Sequence, residues 1–245
     1  MVINTRPLPG FGITDKLTAC LQSGGANVVA SPVIELAPNP DTEKLHRDIV
    51  DSAYRTAVFV SANGVHFFID FLHREALDPL EWSTNRQIVA IGTGTYEALH
   101  QYGLSVDLIP PIFNSVSLAK ELVDWMPDPY LLVRADRGSS ELADLLNAAN
   151  LQFIESTVYI SRDVAIAPPA ALPILRQGSA DWLTLTSPAI AHASVKLFGG
   201  LLVNTKLICI SEAVANVVKQ SGFSNVWVAK SATFEAMAKK MRKSG

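Results

Sequence analysis

Short runs of consecutive apolar residues alternate along the chain with longer stretches in which apolar positions recur every three or four residues. The runs predict strands near 2–4, 27–30, 57–60, 88–91, 106–109, 130–133, 152–158, 181–185, 206–210 and 226–229, bounded by turn residues and mostly too short for helices. Between them the helical period is explicit. Val65, Phe68, Ile69 and Leu72 stand at i, i+3, i+4 and i+7, as do Leu142, Leu145, Leu146 and Ala149, and again Phe234, Met237, Ala238 and Met241. Each stripe gives one helix an apolar face to lay on a sheet. Strands buried on both faces and separated by helices predict an α/β fold with parallel sheets and helices on both faces.

The pattern divides in two. Thr5-Arg6-Pro7 echoes Val133-Arg134-Ala135, Val60-Ser61-Ala62 echoes Thr186-Ser187-Pro188, and Ile91-Gly92 echoes Ile210-Ser211, at separations of 128, 126 and 119 residues. A nearly constant offset of about half the chain suggests an internal duplication, although any βα protein is faintly self-similar. Pro32–Pro38 is bracketed by proline and too short for a helix, so it reads as an extended connector, and Ser156–Ser161 is its counterpart. Two connectors mean that the chain leaves one lobe and returns to it. The expected organisation is a discontinuous lobe of residues 1–33 plus 163–245, linkers at 34–37 and 159–162, and a second lobe at 38–158, with a two-stranded linker joining them and a ligand cleft between them.

Composition narrows the classes of function. The 245 residues are 49% hydrophobic and 18% charged, with a formal net charge of −3, so no global positive field exists to hold nucleic acid or an anionic membrane. The basic run Lys239, Lys240, Arg242, Lys243 closes a predicted helix, where cations offset the macrodipole. No apolar run reaches the roughly 18–20 residues of a membrane span, and Val2-Ile3 enter a strand at once, so a cytoplasmic protein is expected. Cys20 and Cys209 each fall within an apolar pattern and read as buried reduced thiols.

The motif search is mostly negative. GxxxxGK[ST], GxSxG, HExxH, an EF-hand loop and Cys/His clusters are all missing, and the histidines at 46, 66, 73, 100 and 192 have no ligand-like spacing, so no metal site is expected. Gly92-Thr93-Gly94-Thr95-Tyr96-Glu97 opens a helix after a strand, but Glu97 replaces the third glycine of a dinucleotide fingerprint and Asp107 follows too soon to serve the ribose. The turns Ser61-Ala62-Asn63-Gly64, Gly92-Thr93, Gly138-Ser139-Ser140, Ser187-Pro188 and Ser211-Glu212 each place small polar residues between a strand and a helix. Such turns leave backbone N–H groups free to hold anions, and in a parallel sheet they gather along one edge. Arg6, Arg134 and Arg137 stand at strand ends, as suited to surface ion pairs as to a ligand's carboxylates.

Taken in order, Asn4-Thr5-Arg6-Pro7, Phe59-Val60-Ser61-Ala62-Asn63-Gly64-Val65, Ala90-Ile91-Gly92-Thr93-Gly94-Thr95, Val133-Arg134-Ala135-Asp136-Arg137-Gly138, Val158-Tyr159, Thr186-Ser187-Pro188 and Ser211-Glu212-Ala213-Val214-Ala215 resemble the uroporphyrinogen-III synthase family over nearly the whole chain. The resemblance implies two α/β lobes, the first built from both chain ends, and a cofactor-free, monomeric, cyclising carbon–oxygen lyase of heme biosynthesis. Its substrate would be hydroxymethylbilane, a linear tetrapyrrole with eight carboxylates. Its product would be uroporphyrinogen III, formed with loss of water and inversion of ring D through a spiro intermediate. The family's linker tyrosine maps onto Tyr159, either a proton donor to the departing hydroxyl or a packing residue of the ladder, and the duplicated half carries Ile34 there. Substrate contacts are expected at Arg6, Pro7, Ser61, Ala62, Asn63, Gly92, Thr93, Arg134, Asp136, Arg137, Gly138, Ser187, Pro188, Ser211 and Glu212. Some members carry threonines where this chain has Ala213-Val214. Two rivals stay open: a two-lobed binding protein that closes on an anion, and a nucleotide-dependent oxidoreductase resting on the Gly92 turn.

Overall fold

Ten strands and eleven α-helices are described in the computed structural model, which covers residues 1–8, 10, 15–125 and 129–243. The strands are β1 (Val2–Asn4), β2 (Val28–Ala30), β3 (Ile34–Pro38), β4 (Thr56–Phe59), β5 (Gln87–Ala90), β6 (Tyr130–Ala135), β7 (Phe153–Asp163), β8 (Trp182–Leu185), β9 (Lys206–Cys209) and β10 (Val226–Val228). The helices are α1 (Lys16–Gln22), α2 (Thr42–His46), α3 (Ala62–Arg74), α4 (Pro79–Ser83), α5 (Thr93–Gln101), α6 (Ser115–Trp125), α7 (Glu141–Ala148), α8 (Ala171–Arg176), α9 (Pro188–Phe198), α10 (Glu212–Gln220) and α11 (Phe234–Lys243). The chain divides into two units, Met1–Leu36 with Arg162–Gly245, and Ala37–Ser161.

The first unit holds a parallel sheet in the order β10-β9-β8-β1-β2. Period-two alternation sends its side chains into two cores. Ile3, Leu183, Leu185, Leu207 and Cys209 fill one, while Val2, Trp182 and Ile208 fill the other with Leu17 and Leu21 of α1 and Met237, Ala238 and Met241 of α11. Both faces are therefore covered by helices. Cys209 is buried, and Cys20 is only half-buried, because α1 turns it toward Glu235 at the surface.

The second sheet runs β3-β7-β6-β4-β5, with β7, β6, β4 and β5 parallel. Val65, Phe68, Ile69 and Leu72 of α3 are buried, as their spacing requires. The strand expected near 106–109 shrinks to one parallel bridge, Val89 to Leu108. Pro110 and Pro111 follow at once and offer no N–H to extend it.

The two units share a strand order. Beginning from β1, the first sheet reads 2-1-3-4-5 across β2, β1, β8, β9 and β10. Counted from β6, the second unit repeats this spatial order across β7, β6, β4, β5 and the Leu108 bridge, with β3 added beyond β7, although its chain order is permuted and begins at β4. This is a doubly wound order, and it reverses direction between β1 and β8 and between β6 and β4. Loops leaving adjacent strands at such a reversal diverge to opposite faces, which leaves a crevice at the carboxyl edge.

Candidate active site

In the second unit the crevice at the β6/β4 reversal brings together Ser61, Arg134, Arg137 and Tyr159 of the polar residues singled out in the sequence. A cavity of about 250 Å³ is lined by Ser61 from the end of β4, by Arg134, Arg137 and Gly138 from the end of β6, and by Ser115 and Tyr159. Tyr159 reaches it through a register shift. Arg134 pairs with Thr157 but Ala135 pairs with Tyr159, so β7 carries one extra residue, Val158, at this point. Neighbours on β6 point to opposite faces, so the bulge turns Tyr159 away from the face that Thr157 uses. The Asp136 N–H, donating to the Tyr159 carbonyl at 3.1 Å, and the Ser161 N–H, donating to Asp136 Oδ1 at 2.8 Å, fix the bulged strand.

The Tyr159 side chain is 7% exposed, and its ring stacks on Phe67 at 5.0 Å between centroids and 16° between planes. Burial pushes its pKa above the ordinary 10.0, hydrogen bonds with the Ser61 and Asn63 side chains pull it down, and the Asp136 charge pushes it up again. The net shift is upward, so the phenol stays protonated. Ser61 also caps α3, accepting from the Gly64 N–H at 3.0 Å, so one hydroxyl both starts a helix and holds the tyrosine.

Arg134 is held over the β6 turn. Its guanidinium donates to Glu155 and, at 3.0 Å, to the Ser139 carbonyl. A Cβ at residue 138 would lie 2.9 Å from Arg134 Nη2, so Gly138 is what allows the side chain to rest on the backbone there. At the next turn Gly92 begins α5 without a side-chain cap, and Phe113 covers it so closely that a Cβ would meet its ring at 3.1 Å. Thr93 is exposed beside it. Neither Gly92 nor Thr93 lines the cavity, which takes Ile91 and Ser115 instead.

The first unit has its own set at the β1/β8 reversal. Arg6 donates to Asp15 at 2.8 Å and to Thr186 Oγ1 at 3.4 Å, and its guanidinium lies 4.5 Å from the Phe234 ring centroid. Asp15 caps α1 through the Thr18 N–H at 2.8 Å and also accepts from Asn4 Nδ2 at 2.7 Å. Burial would raise the pKa of this carboxyl, but Arg6 and Thr18 hold it below the ordinary 3.8. Ser187 caps α9 by accepting from the Ile190 N–H at 3.2 Å, with Pro188 as the first helical residue. Pro7 follows Arg6 in the turn. Ser211 begins α10 without a side-chain cap bond, and Glu212 reaches Lys219 at 3.4 Å.

Phe67, Ser115, Glu155 and Asp15 were not singled out in the sequence. Asp15 carried a readable signal, an acid three residues before Thr18 at the start of a helix. Phe67 and Glu155 carried none, because a stacking partner and an ion-pair partner are set by the fold. Among the described residues no cluster of three or more His, Cys, Asp or Glu is placed to hold a metal ion, and no helix is long and apolar enough to cross a membrane.

Known proteins carry the same plan. The chain is 25% identical over 248 residues to the porphyrin biosynthesis protein HemD of Ruminiclostridium josui, covering 100% of this chain and 48% of that protein, so it spans about half the length of this relative. It is 25% identical over 187 residues to the uroporphyrinogen-III synthase of Chlorobaculum parvum, covering 73% of this chain and 72% of that one. The crystal structure of uroporphyrinogen-III synthetase from Helicobacter pylori superposes with a TM-score of 0.68 at 16% identity, over 100% of this chain and 99% of that one, which shows the shared fold. Residues 15–239 match the family model described as uroporphyrinogen-III synthase HemD, and with a match of that extent the chain belongs to the uroporphyrinogen-III synthase family.

Proposed function

We propose that the chain is a cyclising carbon–oxygen lyase that converts hydroxymethylbilane to uroporphyrinogen III. The observation that carries this reading is the placement of the buried Tyr159 phenol in one cavity with Ser61, Arg134 and Arg137. The reaction breaks the bond between the terminal methylene and its hydroxyl. Tyr159 gives its proton to that oxygen, water departs, and the electron pair of the adjacent pyrrole stabilises the carbon left behind. A substituted ring-D carbon then attacks, the spiro intermediate reopens with that ring inverted, and closure releases a ring proton and the macrocycle.

Departure of the hydroxyl needs little help, and unassisted closure gives the uninverted isomer I, so the greater task is to hold ring D in the attacking pose. In the second unit Arg134, Arg137 and the N–H groups of the Ser61 and Gly92 turns would hold acetate and propionate carboxylates, and in the first unit the Ser187 and Ser211 turns offer N–H groups of the same kind. Asn63, Thr93, Asp136 and Pro188 shape those turns. We assign the working form to a cytoplasmic monomer that needs no cofactor, in keeping with the resemblance in the sequence. The test is to supply hydroxymethylbilane to the purified chain and separate the product isomers. Isomer III in proportion to protein is expected, and equal activity after gel filtration and chelation. Isomer I alone would mark a binding protein, and tight binding of a nicotinamide nucleotide would point to the oxidoreductase reading.

A further inference from the structure

The carboxyl edge of the first sheet leads into a cluster of charge that the chemistry above does not use. Lys230 and Ser231 follow β10, and Ala236, Lys239, Lys240 and Lys243 share one side of α11 at i, i+3, i+4 and i+7. Together they line a hollow of about 370 Å³. The other side of α11, Met237, Ala238 and Met241, is buried in the core. Among the described residues no carboxylate lines the hollow and none of its four ammonium groups enters an ion pair.

Composition does not force lysines together here, since Asp and Glu number 23 against 20 Lys and Arg. The helix macrodipole accounts for cations in the last turn of α11, at about 0.3–1 kcal/mol each. It does nothing for Lys230, which enters from the loop before the helix. Lys240 is held at the wall of the hollow, its Nζ 5.1 Å from the Trp227 ring centroid. Four lysines gathered around one hollow repel one another, and a ligand bearing several negative charges relieves that repulsion.

We propose that this hollow binds a small polyanion carrying a run of phosphate groups. Its volume is within the range of small-ligand sites. Lysine binds phosphate as a point charge and needs no fixed donor plane, so four lysines on one hollow can follow a run of phosphates of varied orientation. A membrane surface fits poorly, because the apolar side of α11 is already buried in the core and is not free to insert. The inference does not depend on the activity proposed for the Tyr159 cavity.

Inorganic triphosphate is the probe, titrated into the whole chain and followed by calorimetry and by tryptophan emission. One saturable site is expected, weakening as salt is raised. The Lys239→Ala/Lys243→Ala variant should bind about tenfold more weakly or worse, while the exposed pair Lys120→Ala/Lys196→Ala should bind like the parent. Trp227→Phe should lose the emission change and keep the calorimetric signal. These lysines are exposed or half-buried, so the variants should fold, and a thermal melt checks it. Absence of saturable binding by the parent chain at low salt, or equal affinity in the Lys239/Lys243 variant, overturns the proposal. So does a preference for phosphatidylserine vesicles over triphosphate.

Discussion

Tyr159 shows how a side chain common in cores is turned toward a cavity. A phenol packed on Phe67 and 7% exposed would ordinarily be a spacer, but Ser61 and Asn63 meet its oxygen and the Val158 bulge aims it at an arginine-lined cavity. Because burial lifts its pKa above 10.0, ionisation of this group should not reduce the rate at any pH below that value. If the phenol donates the proton in the proposed reaction, Tyr159→Phe should slow turnover by roughly ten- to hundredfold, the low end for one general acid. The ring and its stack on Phe67 are preserved, so substrate should still be folded correctly and the enzyme-bound product should remain isomer III. Rate and isomer ratio together decide the matter. An unchanged rate reduces Tyr159 to packing, and isomer I rising with enzyme concentration would mean that the phenol controls ring inversion.

At the scale of elements, α1 depends on one side chain for its start. Asp15 caps it through Thr18 and also receives Arg6 and Asn4, so Asp15→Ala removes a cap and takes from Arg6 and Asn4 an acceptor that they share, leaving them Thr186 and Thr18. A loss of about 1–2 kcal/mol is expected in urea unfolding at neutral pH. The carboxyl is held below its ordinary 3.8 when folded, so its stabilisation is complete above that value and fades as pH falls through the lower folded pKa. The gap between parent and Asp15→Asn should therefore close in acid; a gap independent of pH would show that charge is irrelevant there. Elements with strong periodicity, such as α3 and α11, were legible in the sequence because burial imposes the period. The strand near 106–109 was not, because its apolar run satisfies the pattern while Pro110 and Pro111 deny it a ladder. The turns were legible as places where N–H groups emerge. That Glu155 holds Arg134, or that Thr186 meets Arg6, depends on strands far apart in sequence being brought side by side.

At the scale of the whole molecule, the repeated strand order explains the echoes along the chain. Arg6 leaves β1 and Arg134 leaves β6, Ser187 leaves β8 and Ser61 leaves β4, and Ser211 follows β9 as Gly92 follows β5; each pair holds the same place in 2-1-3-4-5. The units differ in how the chain supplies that order. Residues 37–161 give the second unit as one continuous segment, whereas the first needs β1 and β2 from residues 1–36 and β8, β9 and β10 from residues 162–245. β1 lies between β2 and β8, with Val2 4% and Ile3 0% exposed, so a segment of residues 162–245 alone would bare the edge of β8 and one side of two cores to water. Expressed separately, residues 37–161 should unfold cooperatively on heating, with a dispersed amide spectrum. Residues 162–245 should show neither until residues 1–36 are added, when both should return. The reverse result, a folded 162–245 segment or an unfolded 37–161 segment, would mean that stability is not apportioned by sheet. If the expected result holds, β1 and β2 cannot complete their sheet during synthesis until the last strand has been made. The second unit, with its tyrosine and arginines, can already be folded by then.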